Sequence, residues 1–311
     1  MTISDPTQIA ALAVAEVSPA GPVGATWLNG NAWRDGDVPP AAAVVIHDRG
    51  FLLGDGLFET VAICAGRPIL WKQHIDRMGA TAEALHFPLP ARLEDDALLA
   101  VEILLDLVDP PVRQRGTLRI TVTRGSGTEY GLDAPTQVKP SMLLRITPTN
   151  RRSREPGRRE TAWIVDQPRI DPSNLLSGHK TTSSMWRVVA HETARKHGAD
   201  LALLRTIDGD LGEADTASLF AVIEETVVTP PLSRGILPST TRAFALAELE
   251  EAGRRWEERQ LLPKELEDAS EVFISSSVNG IRALGAVNGR ALPEAAPVAD
   301  WLDERYEALE G

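Results

Sequence analysis

The sequence predicts an α+β fold, a mixed α/β arrangement with largely antiparallel sheets, divided between two domains. Three observations carry this expectation. Strand-like runs and helix-period runs alternate loosely along the 311 residues, with several hairpin signals among them. The stretch TPTNRRSREPGRR at 147–159 has no aliphatic core residue and a dense run of arginines, so it reads as a solvated linker rather than an anion-binding loop. The chain is also long for a single core, and 43% hydrophobic residues is ordinary for a globular protein. The expected division is an N-terminal extension over 1–24, a small α/β domain over 25–147, a linker over 148–159 and a larger domain over 160–311.

Each element has its own signal. ATWLNGNAW gives a short strand and an Asn-Gly turn. LFETVAIC at 57–64 is rich in β-type residues, Gly66-Arg67-Pro68 breaks it, and ILW resumes it as the return arm of a hairpin. Ile75, Met78, Ala82 and Leu85 fall at helical spacing within 72–86. A second helix is expected over 93–108, with Glu94, Asp95 and Asp96 in the first turn, where acidic groups suit the helix dipole. GTLRITVTRG and SMLLRIT read as strands. After the linker come a strand at TAWIVDQ, a helix over 184–197, strands at ADLALLRT and SLFAVI around an Asp208-Gly209 turn, a helix at TTRAFALAELEEAG capped by Ser239 or Thr240, and a buried strand at EVFISSSV.

Composition narrows the function classes. The 32 basic and 44 acidic residues give a net charge of −12, which disfavours nucleic acid and anionic membranes as partners. No run approaches 18 apolar residues, so no spanning helix is expected. The lone Cys64 excludes an internal disulfide and suits a cytoplasmic location. The N-terminus has no basic residue ahead of its apolar part, unlike a secretory signal. No H-x-x-x-H or H-E-x-x-H pattern occurs among the six histidines, so no metal is expected. Nucleophile-elbow and phosphate-loop motifs are absent as well. Gly54-Asp55-Gly56 is too short for a dinucleotide fingerprint and reads as a turn.

Four segments remain: HDRGFLLGDGLFET at 47–60, HIDRM at 74–78, SGHKTTSSMW at 177–186 with the following helix and GADLALLRTIDGDLGEADTASLF, and LSRGILPSTTRAFAL at 232–246. FISSS at 273–277 is a weaker fifth. In their order and spacing, from about residue 25 to about residue 305, they resemble the class IV aminotransferases, the fold type IV enzymes of pyridoxal 5'-phosphate (PLP). Branched-chain aminotransferases, D-amino-acid transaminases and 4-amino-4-deoxychorismate lyases belong to that family.

The resemblance implies a two-domain PLP-enzyme architecture and a role for each matching residue. Lys180 matches the lysine that bonds to the PLP aldehyde and shuttles the Cα proton, which requires a dry or cationic setting to make its amine nucleophilic. Glu213, 33 residues later, matches the carboxylate that keeps the pyridine nitrogen protonated. Arg77 matches the phosphate arginine; on composition alone it would form a helix-surface pair with Asp76 or Glu83. Thr240 and Thr241 match donors at a helix start, and Ser276 and Ser277 match further hydroxyl contacts to the phosphate.

Departures bear on the reaction. Ser183 stands where many members have Asn, Ala214 where Gly is usual, and Ser239-Thr240-Thr241 where GIT is usual. The Arg-x-His carboxylate trap of D-amino-acid transaminases is replaced by Glu129 and Gly131. GLFET and TRGSG look most like the aminodeoxychorismate lyases, although an arginine often found beyond RGSG is absent. The resemblance therefore implies a lyase releasing pyruvate and 4-aminobenzoate, as in folate biosynthesis, with an aminotransferase as the alternative and a non-catalytic relative as a third reading. Phe58, Thr60, Arg124 and Tyr130 are the expected substrate-pocket residues. The expected partners are a small-molecule substrate and a second copy of the chain in a homodimer.

Overall fold

The computed structural model describes residues 22–37, 47–126, 131–134, 139–149 and 159–309. Most of the expected N-terminal extension, Tyr130 and most of the arginine-rich stretch lie outside the described residues. The first sheet has six strands: β1 (Ala25–Leu28), β2 (Asn31–Arg34), β3 (Gly56–Cys64), β4 (Arg67–Pro68), β5 (Arg115–Thr123) and β6 (Ser141–Pro148). Their order is β2-β1-β6-β5-β3-β4, with every neighbouring pair antiparallel. Its tight hairpins turn at Asn29-Gly30 and Ala65-Gly66. Both residues of each turn have positive φ, the geometry that matches the natural strand twist.

Alternation along β5 decides which side chains reach the site. Gly116, Leu118, Ile120 and Val122 are buried, while Thr117, Arg119, Thr121 and Thr123 point to the other face. The buried face is covered by the helices α2 (Trp71–Ala84) and α3 (Leu93–Leu107), which present Ile75, Met78, Ala82, Ala97, Val101 and Leu104 to it. A short preceding helix, α1 (Arg49–Leu53), is capped by the Asp48 side chain. The expected return strand at ILW is corrected: β4 ends at Pro68. Ile69 drops into the core, and Leu70, at φ 51°, turns the chain so that Trp71 opens α2.

The second sheet runs β12-β11-β10-β13-β14-β7-β8-β9, from β7 (Glu160–Ile170), β8 (Leu201–Thr206), β9 (Leu211–Ala214), β10 (Ser218–Ile223), β11 (Thr226–Thr229), β12 (Trp256–Glu258), β13 (Glu271–Ser276) and β14 (Gly280–Val287). The pairs β7/β8, β7/β14 and β11/β12 are parallel, so the antiparallel expectation describes the first sheet better than the second. Parallel neighbours need long crossovers, and a helix supplies one here. After a short helix, α4 (Pro110–Gln114), in the first half, this crossover helix is α5 (Met185–Lys196). It joins β7 to β8 and lays Ala190 and Ala194 against Val165, Ala202 and Leu204.

Helices α6 (Thr240–Glu251) and α7 (Pro297–Ala308) cover the other side, where Phe220 and Phe273 stack at 4.8 Å beneath Tyr306. The same apolar cluster includes Ala62, Cys64 and Ile69 from the first half of the chain, so the two halves share a core. Neither α7 nor β14 is anticipated from the sequence. Helix α7 is mostly charged on its outer side and owes its place to Leu302 and Tyr306 packing on the sheet. No helix among the described residues is long and apolar enough to cross a membrane.

Candidate active site

A cavity of about 510 Å³ lies between the two sheets, within the usual size range for small-molecule sites. The first sheet contributes Phe58, Thr60 and Arg119, and α2 contributes Arg77. The second half contributes Lys180, Arg187, His191, Glu213, the start of α6 and the end of β13.

Lys180 sits in the segment between β7 and α5, and that segment is stitched onto the beginning of β3. The Phe58 N–H donates to the Lys180 carbonyl at 3.0 Å, and the Thr182 N–H to the Gly56 carbonyl at 2.8 Å. The Thr182 and Ser183 hydroxyls both donate to the Gly54 carbonyl, at 2.7 and 3.1 Å. A Cβ on Gly54 would come within 2.5 Å of the Ser183 hydroxyl, and Gly54 itself is left-handed at φ 67°. Gly54-Asp55-Gly56 is therefore more than a turn: it is where the lysine segment docks. The Lys180 ammonium lies 4.6 Å from the centre of the Phe58 ring. Burial lowers its pKa to about 8, with Arg77 and Arg187 adding to the shift and Glu59 and Glu213 opposing it.

Arg77 makes no surface pair with Asp76, which bonds to Lys72 instead. It turns inward onto Glu59, with Nε to Oε1 at 2.8 Å and Nη2 to Oε2 at 2.5 Å, and reaches the Pro238 carbonyl at 3.1 Å. Glu59 is fully buried and also accepts from His74 Nδ1 at 2.7 Å. Burial alone would raise its pKa, but the hydrogen bonds from His74 and Arg77 prevail and bring it down to about 2. A carboxylate can only accept, so the His74 proton sits on Nδ1. Burial also lowers the pKa of His74. Neutral His74 Nε2 then offers one acceptor lone pair, with two hydroxyls in reach of it, Thr240 Oγ1 and Ser277 Oγ, each at 3.2 Å.

Those two hydroxyls share the one acceptor that His74 presents. Thr241 is fully buried and does not line the cavity, and its hydroxyl has no partner among the described residues. Ser275 and Ser276 line the cavity, and their buried hydroxyls likewise have none among the described residues. Ser239 caps only the Arg242 N–H, which leaves the first amides of α6 without an intrahelical partner. Unpaired buried donors of this kind are costly unless a ligand meets them.

Glu213, on β9, is 3% exposed; Oε1 accepts from Arg187 Nη2 at 2.5 Å and Oε2 from the Leu237 N–H at 3.2 Å. Phe58 and Thr60 line the cavity. Arg124 does not: Asp55 captures its Nε at 2.8 Å, and its guanidinium lies over Phe87 beside a second, smaller cavity. Tyr130 lies outside the described residues. Arg119 was missed by the sequence reading. It is the cross-strand partner of Thr60, and its guanidinium lies 3.8 Å from the Phe58 ring centre. Burial lowers its pKa. Only the strand register reveals this neighbour. Glu59, by contrast, stood inside a quoted motif, and its partner His74 stood three residues before Arg77.

A half-buried lysine between an acid and a cluster of donors without partners among the described residues, on two sheets of this topology, marks a fold type IV enzyme. The chain belongs to the amino-transferase class IV family, whose model matches residues 56–287, and it is a PLP-dependent enzyme of that family. It is 28% identical over 285 residues to a putative branched-chain-amino-acid aminotransferase from Methanocaldococcus jannaschii, covering 91% of this chain and 95% of that protein. A D-alanine aminotransferase from Bacillus licheniformis is 28% identical over 258 residues, covering 82% and 87%. Among solved structures, the 4-amino-4-deoxychorismate lyase of Pseudomonas aeruginosa superposes with a TM-score of 0.73 at 28% identity, covering 91% of this chain and 98% of that one. A branched-chain aminotransferase from Thermoproteus uzoniensis shares the fold with a TM-score of 0.82 at 21% identity, covering 94% and 96%.

The buried Glu59 predicts a pH-dependent stability. With a folded pKa near 2 against an ordinary 4.5, its contribution is complete above pH 4.5 and is lost as pH falls from 4.5 toward 2. The difference is on the order of 3 kcal/mol. Urea unfolding of the wild type and Glu59→Gln should show a gap that narrows over that range; a constant gap would contradict the ionised cluster.

Proposed function

We propose that PLP binds in this cavity and that Lys180 is the residue that bonds to it. The observation that carries the reading is the Lys180 ammonium, lowered to about 8, set between the Phe58 ring and a wall of unpartnered donors. The residues fit the cofactor. Arg77, the first amides of α6, and Ser276 would hold its phosphate, with Thr240 and Ser277 beside His74 and Thr241 buried below the cavity wall. Glu213 would face the pyridine nitrogen. When bound, PLP supplies a ring that draws electrons from the amine-bearing carbon of the substrate.

The protein's own groups do the rest. Lys180 takes the proton from the amine-bearing carbon, since a buried amine near pKa 8 is largely free for base work at mildly alkaline pH. Arg119, stacked on Phe58, has no recorded carboxylate partner among the described residues and offers its guanidinium to an anionic substrate. Thr60 lies across from it.

The reading we favour is 4-amino-4-deoxychorismate lyase. Lys180 removes the proton from the ring carbon that bears the amine, the bond from the ring to the enolpyruvyl oxygen breaks and the ring becomes aromatic as 4-aminobenzoate, while the released enolpyruvate takes up one proton at its methylene carbon and leaves as pyruvate. The likeness to the Pseudomonas lyase and the GLFET and TRGSG segments support it. Amino-group transfer to a 2-keto acid is the second reading, favoured by the likeness to the branched-chain and D-alanine aminotransferases. A non-catalytic relative would have no use for Lys180 and Glu213 in one cavity. A cytoplasmic homodimer, with a folate-related role, completes the proposal.

Borohydride treatment of the PLP-loaded protein should fix the cofactor on Lys180, read by peptide mass; a label on another lysine would overturn the assignment. Ser276→Ala removes a hydroxyl that satisfies nothing in the protein. It should leave the stability of the cofactor-free protein unchanged while weakening PLP binding by about 0.5–1.5 kcal/mol, or roughly two- to tenfold. Binding equal to wild type would place the phosphate elsewhere. Incubation with aminodeoxychorismate and no keto acid should yield pyruvate and 4-aminobenzoate. If it yields neither, while amino acids convert bound PLP to pyridoxamine phosphate, the chain is an aminotransferase.

A further inference from the structure

One end of the cavity holds more charge than that reading uses. Arg187, in the first turn of α5, donates from Nη2 to Glu213 Oε1 at 2.5 Å and from Nη1 to the carbonyls of Asp215 and Ala214, at 3.0 and 3.4 Å. Its guanidinium also lies over the Trp186 ring, 4.3 Å from the centre. These contacts hold it in one geometry, aimed at a carboxylate that is 3% exposed. Beside them, His191 Nδ1 meets Asp215 Oδ2 at 2.7 Å, and the same oxygen accepts the Ala202 N–H at 3.1 Å. The acid proposed for the cofactor nitrogen thus already carries a guanidinium.

We infer that Arg187 is a positioning residue that holds Glu213 in line and weakens its grip on the proton of the cofactor's ring nitrogen. The inference rests on the reading of Glu213 as the partner of that nitrogen. Charge counting gives the direction. A lone buried carboxylate facing a protonated ring nitrogen makes a neutral pair, so the proton is held firmly. With Arg187 included, the trio carries one net positive charge in a poorly hydrated place, and like charge disfavours the protonated form.

The other charged groups around this end do not cancel Arg187. Asp215 spends its carboxylate on His191 and on the Ala202 N–H. Glu59, His74 and Arg77 neutralise one another on the opposite wall. Lys180 adds positive charge before it bonds to the cofactor. The electron-drawing strength of the ring is therefore set jointly by β9 and by α5.

The test uses the holoenzyme loaded with PLP labelled with ¹⁵N in the ring, and follows the nitrogen resonance through a pH titration. Arg187→Gln keeps a donor to Glu213 and removes the charge. It should move the midpoint upward by about one pH unit, a tenfold tighter hold on the proton. Arg187→Lys keeps the charge and should titrate close to wild type, and it serves as a folded control. Glu213→Gln should move the midpoint downward. If Glu213→Gln leaves the midpoint in place, the assignment of Glu213 fails. If Glu213→Gln moves it and Arg187→Gln does not, only the role of Arg187 is overturned.

Discussion

The site depends on one buried carboxylate. Glu59 projects from the middle of β3 and is clamped by His74 and Arg77, one turn apart on α2. Alone, a charge at that depth would cost several kcal/mol. With two cationic or polar donors it is instead a fixed anchor. His74 passes the constraint on to Thr240 at the start of α6 and to Ser277 at the end of β13, and Arg77 reaches the Pro238 carbonyl. One acid on the first sheet thereby sets the relative positions of a helix start and a strand end on the second. That junction is where the unpartnered hydroxyls and amides gather.

A second junction brings in the lysine. The backbone of the segment holding Lys180 bonds to Gly56 and Phe58, and its side chains bond to Gly54. These contacts bridge residues more than a hundred positions apart, so the lysine is held from both halves of the chain. Gly54 suits its left-handed φ of 67°, and a Cβ at Gly56 would sit 3.0 Å from both Thr182 Oγ1 and the Val122 carbonyl. The cavity between the sheets is thus closed by hydrogen bonds at its floor and by the shared apolar cluster of Ala62, Ile69, Phe220 and Tyr306 behind it. A site assembled this way can bury a lysine amine enough to lower its pKa while leaving the cavity open to a ligand.

Much of this was legible in the sequence, and the limits have physical causes. Helix α2 was legible from its apolar spacing, α3 from its acidic first turn and α6 from its Ser239 cap, all of them local signals. The Lys180, Glu213 and Arg77 motifs could be placed because their spacing survives in the linear chain. The ILW run misled, since a left-handed Leu70 follows from how Ile69 is buried rather than from strand propensity. The pairing of Arg124, an expected substrate-pocket residue, with Asp55 spans 69 positions and leaves no local trace in the sequence.

By itself, the sequence determined the family, the secondary elements with strong local periodicity, and the residue types able to hold a phosphate, a ring nitrogen and an aldehyde. Those features are carried by contacts between near neighbours or by motif order. Only the tertiary structure decided that Glu59 ionises beneath Arg77, that Arg119 stacks on Phe58 across the β3/β5 register, and that Arg187 reaches Glu213 from a different element. Each is a contact between residues 18 to 61 positions apart. Charges that far apart in the chain are brought within hydrogen-bonding or stacking range only by strand pairing and by helices packing on their sheets, which no local pattern encodes.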